Sequence, residues 1–223
     1  MLNIESLHKS FRENVILHNL TFTVNPGEII GLVGENGAGK STLLHILATI
    51  SKPSEGSISL NDLSYTTERK KIRKLIGYVP QDIAVWEDLT VEENMVFFEK
   101  LSWVNQTKEE LRNLCQEMKL YKWKEPVNTL SGGMKRKLNL AISLIHHPKV
   151  LLLDEPTVGI DLKSRKEIGT YLQKQAVENE LMIIYTSHDM DEINELCNRV
   201  ICIGKDPFYK DMLLNSGKEI ISF

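Results

Sequence analysis

The sequence has few cysteines, no long apolar run and little excess charge, and each shortage excludes a class of protein. Its 223 residues include only three cysteines, Cys115, Cys197 and Cys202. Their number is odd and no CxxC or Cys/His spacing joins them, so neither a disulfide framework nor a zinc site is expected. That usage fits a reducing compartment. The longest apolar runs, "VLLL" and "LMIIY", fall far short of the roughly 18 residues that a membrane span requires. The first residues, "MLNIESLHKSF", lack the charged start and apolar block of a signal peptide, and a cytoplasmic chain is expected. Any work at a membrane then requires a partner that spans it. A net charge of −3 gives no electrostatic footprint for nucleic acid. One local exception is "ERKKIRK" at 68–74, where contact with acidic lipid, contact with a partner and a solvated face are all open. Repeats, low-complexity tracts and obvious linkers are missing as well.

What remains is the composition of a globular protein, 42% hydrophobic and 26% charged. The length allows one large core with a smaller satellite and no covalent staples. Strict alternation in "LTFTV" (20–24) and "SISL" (57–60) predicts half-exposed antiparallel strands. The continuous apolar runs "EIIGLVG" (28–34), "VLLLD" (150–154) and "LMIIYTS" (181–187) predict parallel strands covered on both faces. Each is followed by a helical pattern: Met190, Ile193 and Cys197 recur at helical spacing after the last, and "SRKE" at 164–167 has the form of a capping box before Ile168, Tyr171 and Leu172. Between about 88 and 146 no strand is predicted, but "TVEE" (90–93) and "TKEE" (107–110) read as helix starts, the second preceding a stripe of Leu111, Leu114, Cys115 and Met118. The fold class is therefore α/β: a core with a mainly parallel sheet, an N-terminal antiparallel β subdomain and an inserted α-helical subdomain. As a single domain it divides into core at about 1–87 and 147–210 and helical insertion at about 88–146.

"GENGAGKS", Gly34 to Ser41, fits G-x-x-x-x-G-K-[ST] directly after a buried strand and before the apolar "TLLHILATI". In such a loop the backbone N–H groups of Gly34, Glu35, Asn36, Gly37, Ala38 and Gly39 turn inward around phosphate oxygens, helped by the helix N-terminus at Lys40, Ser41 and Thr42. Lys40 reaches the β- and γ-phosphates and Ser41 holds Mg²⁺. Asp154 and Glu155 end the "VLLLDE" strand. Either Asp154 completes the Mg²⁺ shell while Glu155 polarises a water for in-line attack, or the pair caps the turn before Pro156.

Together with "YVPQ" ending at Gln81, "LSGGM" at 130–134, "TVGID" at 157–161 and "TSHDM" at 186–190, these motifs resemble the ATP-binding cassette (ABC) family of transport ATPases from about Leu2 to Cys202. The resemblance implies that Phe11 stacks on adenine, with Ile16 on the same apolar patch; a core-facing Phe11 is the alternative. It implies that Gln81 touches Mg²⁺ and the attacking water, that His188 contacts the γ-phosphate, and that Asp161 lies in the loop that crosses to a second subunit. Two such cassettes pair head to tail, so that the backbone of Ser131, Gly132 and Gly133, at the start of a helix carrying Met134, Leu138, Ala141 and Ile145 inward, faces the nucleotide on its partner's P-loop. The expected ligands are ATP and Mg²⁺. The expected partners are a second ABC subunit and integral membrane transporter subunits, with no nucleic acid, and the expected location is peripheral, on the inner face of the cell membrane.

Two departures from the family pattern stand out. Met134 replaces the signature's usual Gln, and closing strands are hard to recognise in "IGKDPFYKDMLLNSGKEIISF" after residue 202. The tail is too short for a regulatory domain, so no ligand-sensing control is expected there. The forms "LSGGMKRKL" and "LDEPTVGID" look like the branch serving separate export-type membrane subunits. A soluble ABC ATPase acting on DNA or ribosomes, and a non-hydrolysing cassette supporting a partner, are the alternatives.

Overall fold

The structure, a computed structural model, describes residues 1–204, 206, 208–213 and 218–222. The chain begins with β1 (Leu2–Phe11), β2 (Asn14–Val24), β3 (Ile29–Val33), α1 (Lys40–Leu47), β4 (Glu55–Leu60), β5 (Leu63–Ser64), α2 (Arg69–Arg73) and β6 (Ile76–Val79). Three helices follow, α3 (Val91–Leu101), α4 (Lys108–Glu117) and α5 (Gly132–Leu144). The chain then alternates through β7 (Val150–Leu153), α6 (Leu162–Asn179), β8 (Met182–Thr186), α7 (Met190–Leu196), β9 (Arg199–Cys202), α8 (Phe208–Leu213) and β10 (Glu219–Ser222).

Among the described residues the ten strands form two sheets. An antiparallel sheet has the order β2-β1-β4-β5, and a parallel sheet the order β10-β9-β3-β8-β7-β6. Every residue of β3, β7 and β8 is buried, as expected for strands covered on both faces. Because side chains alternate across a strand, the parallel sheet feeds two cores. Ile29, Val33, Leu151, Leu153, Ile183 and Tyr185 pack with α3 to α7, while Ile30, Leu32, Val150, Leu152 and Ile184 pack with α1 and the antiparallel sheet.

The helix starts expected at "TVEE" and "TKEE" form, each as a capping box: Thr90 accepts from Glu93 N–H and Thr107 from Glu110 N–H, each at 3.2 Å. The expected start at "SRKE" does not. Helix α6 begins earlier, at Leu162, because Asp161 accepts from Ser164 N–H at 2.9 Å and holds the Ser164 hydroxyl at 2.7 Å, leaving Ser164 inside the first turn. Among the described residues after 202 one closing strand is present: β10 pairs with β9 in parallel register, Glu219 opposite Arg199. Residues 205, 207, 214–217 and 223 of that tail lie outside the described residues. In the basic segment, Arg69 and Arg73 are not free in solvent: they donate to the carbonyl and hydroxyl of Thr49, just past α1. No helix among the described residues is long and apolar enough to cross a membrane, and Cys115, Cys197 and Cys202 are all buried as free thiols.

Candidate functional site

The loop between β3 and α1 turns on glycines at φ 83° (Gly37) and 105° (Gly39), a left-handed region that side chains disfavour. Gly39 also lacks room. A Cβ there would come within 2.7 Å of Leu17 Cδ2 and 2.9 Å of Ile16 Cγ2. No side chain caps α1, so its first N–H groups remain available beside the loop. Lys40 is 6% exposed and its amine donates to the carbonyls of Gly34 (2.6 Å) and Glu35 (3.1 Å). Burial lowers its pKa, opposed by the charges of Glu155, Asp154 and Glu35.

A cavity of about 470 Å³ opens over this loop. Asn36, Gly37, Gly39, Lys40, Ser41 and Thr42 form its floor, Phe11 and Ile16 come from the β1–β2 hairpin, and Gln81, Glu155 and His188 come from the ends of β6, β7 and β8. The sequence-predicted Phe11 therefore stands at the cavity and not in the core: it is 53% exposed, with the Lys9 amine 4.7 Å above its ring.

Glu155 is the centre of the far wall. Its carboxylate lies 2.9 Å from His188 Nε2 and accepts from Gln81 Nε2 at 3.2 Å. Its backbone is left-handed, at φ 48°, an uncommon conformation for a side-chain-bearing residue and one that concentrates at functional sites. Thr186 supports that turn: its hydroxyl oxygen accepts from Glu155 N–H at 2.8 Å and lies 3.0 Å from Asp154 Oδ1. Asp154 is buried behind the cavity wall.

The remaining predicted residues gather elsewhere. Ser131 caps α5, its hydroxyl accepting from Met134 N–H at 3.3 Å. Gly133 packs against the start of α6, where a Cβ would meet Ser164 Oγ at 2.2 Å and Asp161 Oδ2 at 3.0 Å. Hydrogen bonds from Ser164 hold the Asp161 carboxyl below its usual range. None of Ser131, Gly132, Gly133 and Asp161 lines the P-loop cavity, so one chain carries two separate clusters of motif residues.

Sequence reasoning missed the residues that brace these loops. Arg136, buried on α5, donates to the carbonyl of Gln81 at 2.8 Å and so ties the α5 start to the Gln81 loop. Thr157, Thr186 and Ser187 are buried hydroxyls beside Glu155 and His188. They stand in the stretches "TVGID" and "TSHDM", from which sequence reasoning singles out only Asp161 and His188.

Residues 17–158 match the ABC transporter family. The chain belongs to that family. Among curated ABC relatives it is 37% identical over 205 residues to the linearmycin resistance ATP-binding protein LnrL of Bacillus subtilis, covering 90% of this chain and 65% of that one. It is 36% identical to the Nod factor export ATP-binding protein I of Burkholderia thailandensis, over 91% of this chain and 67% of the relative. This cassette thus spans less than two thirds of LnrL's length. Among solved structures it is similar to the ATP-binding cassette MJ0796, captured as a dimer in a post-hydrolysis state with ADP and Pi, with a TM-score of 0.79, 26% identity and coverage of 91% of this chain and 94% of that one.

Proposed function

We propose that this ABC chain is the ATP-binding and ATP-hydrolysing subunit of a transporter. Two cassettes close head to tail around two ATP and drive transport through integral membrane partners, which hold the chain at the inner face of the membrane. The direction is export, a reading supported by the relative named for Nod factor export. The observation that carries the reading is Glu155, held between Gln81 and His188 at the wall of a P-loop cavity.

The residues fit ATP and Mg²⁺. The glycine turn is a cradle that a Cβ at Gly39 would fill, and Lys40 presents a buried amine among carbonyl oxygens, a suitable partner for phosphate. The hydroxyl of Ser41, the carboxylate of Asp154 and the amide oxygen of Gln81 are the hard oxygen donors that Mg²⁺ prefers. Mg²⁺, when bound, neutralises charge developing on the β- and γ-phosphate oxygens. Phe11 and Ile16 offer an apolar platform to the adenine ring, for which only a π face is needed. Glu155 accepts a proton from the attacking water, and His188 and Gln81 set the direction of its carboxylate and contact the γ-phosphate side of the site. Lys40 and the N–H groups from Gly34 to Thr42 hold the triphosphate in line.

In this arrangement the site needs a second chain. Ser131, Gly132, Gly133 and Asp161 lie outside the cavity of their own chain and face the nucleotide of a partner.

Glu155→Gln should lower turnover by about 10²- to 10⁴-fold, the range of general-base catalysis, while leaving nucleotide affinity unchanged and trapping an ATP-bound dimer. Steady-state hydrolysis and size-exclusion chromatography with ATP read both effects. Hydrolysis at the unsubstituted rate removes the catalytic assignment. Co-purification in mild detergent should retain an integral membrane protein, and its absence removes the transport assignment.

A further inference from the structure

Glu192 lies on α7, one turn beyond His188, and does not line the P-loop cavity. Its carboxylate nevertheless collects three hydroxyls. Oε2 accepts from Thr157 Oγ1 at 2.9 Å and from Ser187 Oγ at 2.7 Å, and Oε1 accepts from Tyr185 OH at 2.8 Å. Thr157 follows Glu155 by two residues, Ser187 immediately precedes His188, and all three donors are buried. One side chain therefore spans the two segments whose ends meet in the 2.9 Å contact between Glu155 and His188.

The base of this clamp is itself anchored. Asp189 caps α7, accepting from the N–H groups of Asp191 (3.1 Å) and Glu192 (3.2 Å), and its other carboxylate oxygen pairs with Arg165 of α6. Ser187 Oγ accepts from Asp189 N–H at 3.1 Å, so its own proton is free to point at Glu192. A hydrogen bond to an ionised acceptor is roughly twice as strong as one between neutral groups. Without the carboxylate, Thr157 and Tyr185 retain each other at 3.1 Å and Thr186 still holds Glu155 N–H at 2.8 Å, but Ser187, the residue next to His188, loses its tie to the Glu155 segment.

We propose that Glu192 is a positioning residue of the hydrolytic site, which fixes the approach of Glu155 to His188 by clamping Thr157 and Ser187 on one carboxylate oxygen. The inference rests on the hydrolytic reading of Glu155 given above.

The test is turnover and nucleotide affinity of full-length Glu192→Ala, Glu192→Gln and Glu155→Gln/Glu192→Ala, beside Glu155→Gln and with thermal midpoints recorded. A misplacement on the order of 1 Å at a reacting group can cost about 10²-fold, so Glu192→Ala should lower kcat by about 10- to 100-fold with ATP affinity within about twofold of the unsubstituted chain. Glu192→Gln keeps a carbonyl oxygen for Thr157 and Ser187 and should recover most of that loss. The combined variant should be no slower than Glu155→Gln, because residues acting as one unit are not additive. Should Glu192→Ala not fold, Thr157→Val and Ser187→Ala, which each remove one donor, should lower kcat at constant affinity.

Unchanged kcat, a parallel loss of kcat and affinity, failure of Gln to improve on Ala, or additive losses would each overturn the inference. Glu155→Gln that still turns over overturns the hydrolytic reading itself, whereas an inactive Glu155→Gln beside a fully active Glu192→Ala overturns only the role of Glu192.

Discussion

Helices α1 and α5 both begin at glycines, but α1 starts from a left-handed Gly39 with no side-chain cap, whereas α5 starts from Ser131, whose hydroxyl caps Met134 N–H. Gly132 and Gly133 are not among the glycines with positive φ. At α1, then, glycine is required by backbone hand as well as by space; at α5 it is required by a neighbour. Gly133 leaves room for the Asp161–Ser164 turn, while the nearest atom to a Cβ on Gly132 would be Gly159 O at 3.9 Å. Neither conformation nor packing within the chain demands glycine at 132. The space in front of it is open, which suits a surface that receives something from another chain. Two similar strings of letters thus encode different devices: a glycine loop shaped by left-handed backbone and by its own neighbours, and a capped helix end whose first glycine faces open space.

That contrast is broken most strongly at Lys40. Lys40→Ala removes the buried amine of the inward-shaped device, and loss of a charged hydrogen bond of about 1.5–3 kcal/mol should weaken ATP binding by roughly 10- to 100-fold. Equilibrium binding of a fluorescent nucleotide to the isolated chain reads it, and unchanged affinity would place the phosphates elsewhere.

A pair of alanines separates the two glycine roles. Gly39→Ala meets a left-handed backbone, which costs on the order of 1–3 kcal/mol, and should reduce nucleotide affinity already in the monomer. Gly133→Ala meets Ser164 Oγ at 2.2 Å, an overpacking of about 1–3 kcal/mol, and should leave monomer binding intact while lowering dimer turnover. Ser164→Gly should relieve much of the second effect and none of the first, since the Gly39 contacts are to Leu17 and Ile16. Equal losses of monomer affinity in both variants would erase the distinction.

The contrast also marks where sequence could be read. The apolar runs at 28–34, 150–154 and 181–187 gave β3, β7 and β8 because burial on both faces leaves an unbroken signal. The capping boxes at Thr90 and Thr107 were legible because each is completed within three residues. Helix α6 was misread for the same local reason: "SRKE" has the right form, but Asp161 stands earlier and takes the Ser164 N–H first. β9 and β10 are four residues each, and their pairing joins Arg199 to Glu219 across a gap that no short-range pattern spans. Phe11 stayed open in the sequence because only the hairpin register, Phe11 opposite Asn14, carries its ring to the cavity. The Glu192 clamp was not legible because Thr157, 35 residues away, reaches Glu192 only once β7 and β8 are paired.

The smallest effect is expected at Met134, and it sharpens the claim about α5. The Met134 N–H is already taken by Ser131 Oγ, and its half-buried side chain packs against the core that holds Leu138, Ala141 and Ile145. If the anion-facing work of α5 belongs to the backbone at Gly132 and Gly133, a side chain one position further on contributes packing and little else. Met134→Gln exchanges similar volumes but places an amide beside apolar neighbours, a change of about 1 kcal/mol in stability when the amide stays partly hydrated. Turnover should change by less than about threefold, since each tenfold in rate requires about 1.4 kcal/mol of differential transition-state binding. Thermal midpoint and steady-state hydrolysis separate the two quantities. A tenfold change in turnover at constant stability would mean that the side chain at 134 touches the partner's nucleotide directly, and that α5 is read by its side chains as well as by its backbone.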